Sequence, residues 1–97
     1  MTNEVTQELD AALKLNFYRN IPQRMLPPLR DYLIHGKKPG GFLTAVLCDQ
    51  LRLAVCSADQ ENDAQLSAWV LLIFNYTPAK CHGSPEAMEE WMAKSRE

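Results

Sequence analysis

Gly40-Gly41-Phe42-Leu43-Thr44-Ala45-Val46-Leu47-Cys48-Asp49-Gln50-Leu51, and further on Trp69-Val70-Leu71-Leu72-Ile73-Phe74, are the stretches whose reading decides the fold. In the first, Leu43, Val46, Leu47, Leu51, Ala54 and Val55 recur at three- and four-residue intervals, which places them on one side of a helix and predicts a helical segment over 41–57. In the second, Leu66, Trp69, Val70, Ile73 and Phe74 form a stripe, with Leu71 and Leu72 falling off it. A helix apolar around so much of its circumference is expected to have neighbours on most sides, so the segment 60–76 is placed at the centre of a bundle. Asp59 is a candidate cap for it, Glu61 and Asp63 sit near its positive end, and Pro78 follows its last turn.

The flanking sequence extends the same pattern. Val5, Leu9, Ala12 and Leu13 share a face and predict a first amphipathic helix over 4–15. Pro22 can open a helical turn, Pro27-Pro28 lack two amides and predict a break, and Leu29, Tyr32, Leu33 and His35 continue helically to Gly36. The expected element is 22–36, interrupted at 27–28, with Gly36 as its left-handed stop and Pro39 shortly after. Ser84 as cap, Pro85 at the first helical position and Glu86 beside it announce a last helix over 85–95 carrying Met88, Trp91 and Met92. No alternating apolar and polar segment argues for a sheet. The expected fold is all-α, a compact single-domain bundle of about five helices spanning 1–97.

Composition narrows the function classes. The 97 residues suit one modest core, and 46% hydrophobic with 23% charged residues is an ordinary globular balance. Ten lysines and arginines against twelve aspartates and glutamates give a formal charge of −2, which argues against general nucleic-acid binding, where basic side chains neutralise phosphates. No apolar run approaches the roughly 18–20 residues that span a bilayer. The N-terminal Met1-Thr2-Asn3-Glu4 lacks the basic and apolar regions of a secretion signal, so a cytoplasmic protein is expected. Cys48, Cys56 and Cys81 are odd in number, which fits reduced thiols better than a disulfide framework.

Several local groups have the atoms for chemistry. Cys81-His82 pairs a thiol with an imidazole, yet sequence neighbours usually point apart and a nucleophile also needs an oriented base. Cys48, Cys56, His35, Cys81 and His82 include metal-binding atom types without short paired ligand spacing. Lys37-Lys38-Pro39-Gly40-Gly41 precedes a helix start, where free amides attract anions, but it lacks the order of a phosphate-binding loop. The reading is therefore no catalytic residues, no metal and no cofactor, and not an enzyme, with an unrecognised enzyme or ligand-binding domain as the third alternative. Trp69, Trp91, Phe42 and Phe74 fall at core-facing positions and read as packing anchors. The tyrosines and apolar residues left over, Tyr18, Tyr32, Leu53, Leu71 and Tyr76, are the material of a partner surface, with Lys37, Lys38 and His82 added as polar candidates. A seam between two copies is the alternative use of that surface. Arg19, Arg24, Arg30, Lys37 and Lys38 could instead gather into a local basic face, the one route to a nucleic-acid-associated domain.

A wider pattern runs through the chain: Ile21-Pro22, His35-Gly36-Lys37-Lys38-Pro39-Gly40-Gly41-Phe42-Leu43-Thr44-Ala45-Val46-Leu47, Ala58-Asp59, Asn62, Phe74-Asn75-Tyr76, Pro78, Cys81, Gly83-Ser84 and Trp91. It resembles a family of small proteins encoded by bacteriophages and prophages of proteobacteria, over residues 18–94. Relatives in that pattern often carry Asn-Asp where this chain has Asp49-Gln50, and Trp where it has His82. The family supplies no enzymatic activity to carry over. The resemblance implies an accessory protein that binds a bacterial host protein and redirects or inhibits it, the candidate targets being replication, recombination, transcription and defence enzymes, including a CRISPR effector.

Overall fold

The hydrogen bonds at the ends of each apolar segment set where its helices begin and stop. The computed structural model describes residues 4–95, and among these it contains seven α-helices, three short 3-10 turns and no strand. α1 is Glu4–Ala12, α2 Leu26–His35, α3 Gly41–Leu47, α4 Leu51–Ser57, α5 Gln60–Ala64, α6 Leu66–Tyr76 and α7 Pro85–Ser95. The all-α class stands, with seven helices in place of about five.

Four expected boundaries move, each for a local reason. The first helix ends at Ala12 and not at Leu15; the chain turns through backbone bonds from Lys14 N to Ala11 O and Leu15 N to Ala12 O. Pro27-Pro28 do not interrupt a helix but lie in the first turn of α2, where their missing amides would have no intrahelical partner in any case. The helix expected over 41–57 is two. Asp49 adopts φ 61°, and the bonds Asp49 N to Val46 O (3.1 Å) and Gln50 N to Ala45 O (2.9 Å) close α3 in the Schellman pattern. The span 60–76 is likewise two helices, meeting at Gln65, with Asp59 capping α5 through Asn62 N at 2.9 Å. The cap of the last helix matches expectation: Ser84 Oγ accepts from Ala87 N at 3.1 Å.

The buried apolar side chains form one continuous core drawn from every helix except the short α5, with Leu9, Leu29, Leu33, Leu43, Leu47, Trp69 and Leu72 fully enclosed. α1 packs on α2 and α6, α3 on α4 and α6, and α2 on α7. The Cα radius of gyration, 12.4 Å, is the value a close-packed chain of this length should have. Polar ties are few. Asp10 pairs with Arg30 between α1 and α2, and Arg24 bridges to Asp59 and Glu61, joining the turn before α2 to the start of α5. Both arrangements are exposed enough to contribute little to stability.

α6 departs most from its expected setting. Ala68, Trp69, Leu72 and Ile73 are buried, whereas Val70, Leu71 and Phe74 are exposed. Leu72, expected off the core stripe, is fully enclosed, and Phe74, expected as a core anchor, is 69% exposed. One side of α6 packs into the core, while Val70, Leu71 and Phe74 leave apolar surface exposed outside it.

Candidate functional site: an apolar groove beside α6

Phe74, one helical turn beyond Val70, forms one wall of a groove of about 610 Å³ with Leu66 and Ile73. Ala45 and Val46 of α3, with Leu51 and Ala54 of α4, form the facing wall. The Schellman turn creates that wall. By ending α3 at Leu47 it lets α4 leave in a new direction, and Asp49 and Gln50 of the turn line the groove. Ala79, His82 and Gly83 close one end. Two long-range bonds hold this closing segment: Gly83 N donates to Leu47 O at 2.7 Å, and the buried Tyr32 hydroxyl donates to Cys81 O at 2.6 Å. Gly83 has φ 114°, a backbone conformation that side chains disfavour.

Asp49 and His82 are the only ionisable side chains among the groove's lining residues. The His82 ring meets Phe74 edge to face, 6.2 Å between centroids, and its Nε2 is buried with no hydrogen-bond partner among the described residues. Burial lowers its pKa from the ordinary histidine value, and the nearby Asp49 carboxylate opposes that shift in part. The imidazole is therefore held neutral at pH 7, keeping the groove apolar at that end. A histidine whose pKa is depressed by folding binds fewer protons folded than unfolded, so the protein loses stability as pH falls through about 6.5 and below. Denaturant unfolding at pH 7.5 and pH 5 should show this loss in the parent chain and a smaller loss in His82→Phe.

No protein-family model, curated protein or solved structure matches this chain.

Of the surface candidates, the structure places His82 in the groove and Leu71 beside it, both reached through α6 and its following loop. Leu53 is exposed on α4, but two residues from Leu51 it projects from a different side of that helix. Lys37 and Lys38 are exposed in the α2–α3 connection and do not line the groove. Two candidates are corrected outright. Tyr32 is fully buried, because Leu29, Tyr32 and Leu33 share the core face of α2 and its hydroxyl has the Cys81 carbonyl as partner. Tyr18 is 5% exposed, packed edge to face against the half-buried Tyr76 with centroids 5.9 Å apart. Burial, and for Tyr32 the nearby Cys81 and Cys48, raises the pKa of the Tyr32 phenol, as expected of a neutral core hydroxyl. The exposed groove residues that the spacing places on core stripes are Leu51, Val70 and Phe74, and Asp49 goes unmarked because its turn has no glycine.

The groups considered for chemistry separate in space or environment. Cys81 is buried and its Sγ donates to Thr77 Oγ1 at 3.4 Å, while His82 turns its ring to Phe74. Burial pushes the Cys81 thiol up to about 11, the opposite of what activates a nucleophile. Cys48 lies against Met88, Sγ to Sδ 3.6 Å, and burial raises its pKa as well. Among the described residues no three His, Cys, Asp or Glu side chains gather as a metal site. No described helix is long and apolar enough to cross a membrane. A thiol-specific disulfide reagent should modify the exposed Cys56 rapidly in the native protein, with Cys48 and Cys81 reacting only on unfolding.

Proposed function

We propose that this protein is a phage or prophage accessory protein that works in the bacterial cytoplasm by binding a host protein and modulating it, not by catalysing a reaction. The α6 face supports this reading: Val70, Leu71 and Phe74 leave an apolar helix side uncovered next to a groove of about 610 Å³. Apolar patches of this kind on small proteins are where partners dock, and aromatic side chains at their centre supply most of the binding energy. The face has no sheet edge for strand addition, and its helical walls suit a helix or a compact protein surface. The resemblance to phage-encoded proteins supplies the host. The nucleic-acid alternative is less favoured, because two of the cations it needs, Arg24 and Arg30, are already engaged with Asp59, Glu61 and Asp10.

The test is affinity capture from proteobacterial lysate with the tagged parent chain and Phe74→Asp, each with and without nuclease. The expected outcome is one stoichiometric host protein that survives nuclease and binds the variant about thirtyfold or more weakly, the loss of a central aromatic contact. Capture that vanishes with nuclease would move the nucleic-acid reading ahead. A host protein retained equally by both chains would place the contact elsewhere.

A further inference from the structure

His82 and Asp49 reach the same groove from two parts of the chain that one backbone bond joins. We propose that they form a proton-operated latch: with His82 neutral its ring packs on Phe74 and leaves the groove open, and with His82 protonated the ring leaves Phe74 and pairs with Asp49 across the end of the groove. As a control on partner docking, the latch rests on reading the groove as the docking surface.

The bond from Gly83 N to Leu47 O, 2.7 Å, fixes the closing segment against the end of α3. His82 stands one residue before that donor and Asp49 two residues after that acceptor, so both side chains start from backbone that is already joined. In the structure the two stand apart: no ion pair among the described residues joins them, and the ring instead meets Phe74 edge to face. The buried Nε2 makes this arrangement dependent on the neutral ring. It has no hydrogen-bond partner among the described residues. Protonation puts an N–H on both ring nitrogens and adds a positive charge, which is costly to bury without an acceptor.

The surroundings supply one anion. The α6 helix against the ring has no charged side chain over Leu66–Tyr76, its one titratable group being Tyr76. From α2 comes the Tyr32 hydroxyl, bonded to Cys81 O. On the ring's own segment Cys81 turns to Thr77, and Lys80 is an exposed cation. Glu86, in the first turn of α7, acts with Lys38 on Cys48. Arg52 on α4 is exposed and does not line the groove. Asp49 is the one acidic side chain among the lining residues; it is exposed, free of ion pairs among the described residues, and its charge already favours a proton on His82. Pairing takes the ring off the Phe74 wall and lays it over the end of the groove, so an apolar partner docks on the neutral form.

Proton NMR of the full chain from about pH 7.5 to about pH 4.5 tests the latch without a partner. The chain has two histidines, so His82→Gln identifies the His82 signals. His82 should titrate below the ordinary value of about 6.5, lose its ring contact with Phe74 as it does so, and move the Val46, Leu51 and Val70 methyl resonances with the same midpoint. Asp49→Asn, which tolerates the same left-handed turn, should lower that midpoint by about 0.5 pH and leave the ring on Phe74. A His82 midpoint indifferent to Asp49→Asn overturns the proposal, as does a ring that stays on Phe74 once protonated, or a chain that unfolds before His82 titrates. Docking is tested separately. A host protein captured at pH 7.5 should bind about tenfold more weakly one pH unit below the His82 midpoint, in step with the fraction of molecules whose ring is neutral. Equal binding at both values overturns the latch as a control and leaves docking intact, and capture of no host protein overturns docking while the titration still decides the latch.

Discussion

Replacing Trp69 with alanine is expected to lower the unfolding free energy by about 3–5 kcal/mol, measured as a reduced urea midpoint at unchanged slope. Trp69 is fully buried where α6 meets α3, its ring edge to face with Phe42 at 6.1 Å between centroids. Its Nε1 donates to Asn62 Oδ1 at 3.0 Å, and Asn62 is itself 3% exposed on α5. Truncation therefore opens a cavity and strands a buried amide oxygen at once. Trp69→Phe separates the two: it keeps most of the ring volume, orphans Asn62, and should cost about 1–3 kcal/mol. Because a domain of this size has only about 5–15 kcal/mol in total, that loss is a large fraction of its stability.

Gly36→Ala is the second large effect, about 2–4 kcal/mol, through a different mechanism. Gly36 has φ 68°, and a Cβ there would stand 2.6 Å from the Met92 carbonyl oxygen and 3.0 Å from Ser95 Cβ. The left-handed backbone accounts for part of the cost, and the clash with the backbone of α7 for the rest. Gly83→Ala, at φ 114°, carries a backbone cost with no clash, since nothing lies within 4 Å of the Cβ it would add. Thermal unfolding should rank the two, with Gly36→Ala falling further. The contrast identifies Gly36 as the contact through which α2 seats α7, which its sequence role as a helix stop does not reveal.

What could be read in the sequence was local. Gly36 as a stop, Asp59 and Ser84 as caps, and Pro85 opening α7 each depend on a residue acting within one turn of itself. Tyr32 was equally legible, since its spacing to Leu29 and Leu33 marks the core face; treating it as a leftover ignored that signal. The α3–α4 break was harder, because a non-glycine residue in the left-handed region left the apolar periodicity running unbroken across it. The α5–α6 break at Gln65 hid in the same way. The groove was out of reach altogether. Periodicity says that a helix side is apolar but not whether another element covers it, and Phe74, placed in the core on that ground, is among the most exposed apolar residues of the chain. The groove's walls come from segments distant in sequence, so its shape exists only after they meet.

The two bonds holding the 79–83 segment, Gly83 to Leu47 and Tyr32 to Cys81, run between parts of the chain 36 and 49 residues apart. Neither can form in a fragment that lacks its partner, so the groove belongs to the whole folded chain. The affinity of the partner proposed to dock there is thereby linked to global stability: apparent affinity scales with the fraction of molecules folded. A core substitution that leaves half the molecules unfolded weakens binding twofold with every groove residue intact. Variants that lose a partner must therefore be sorted by their folded fraction before any residue is assigned to the contact.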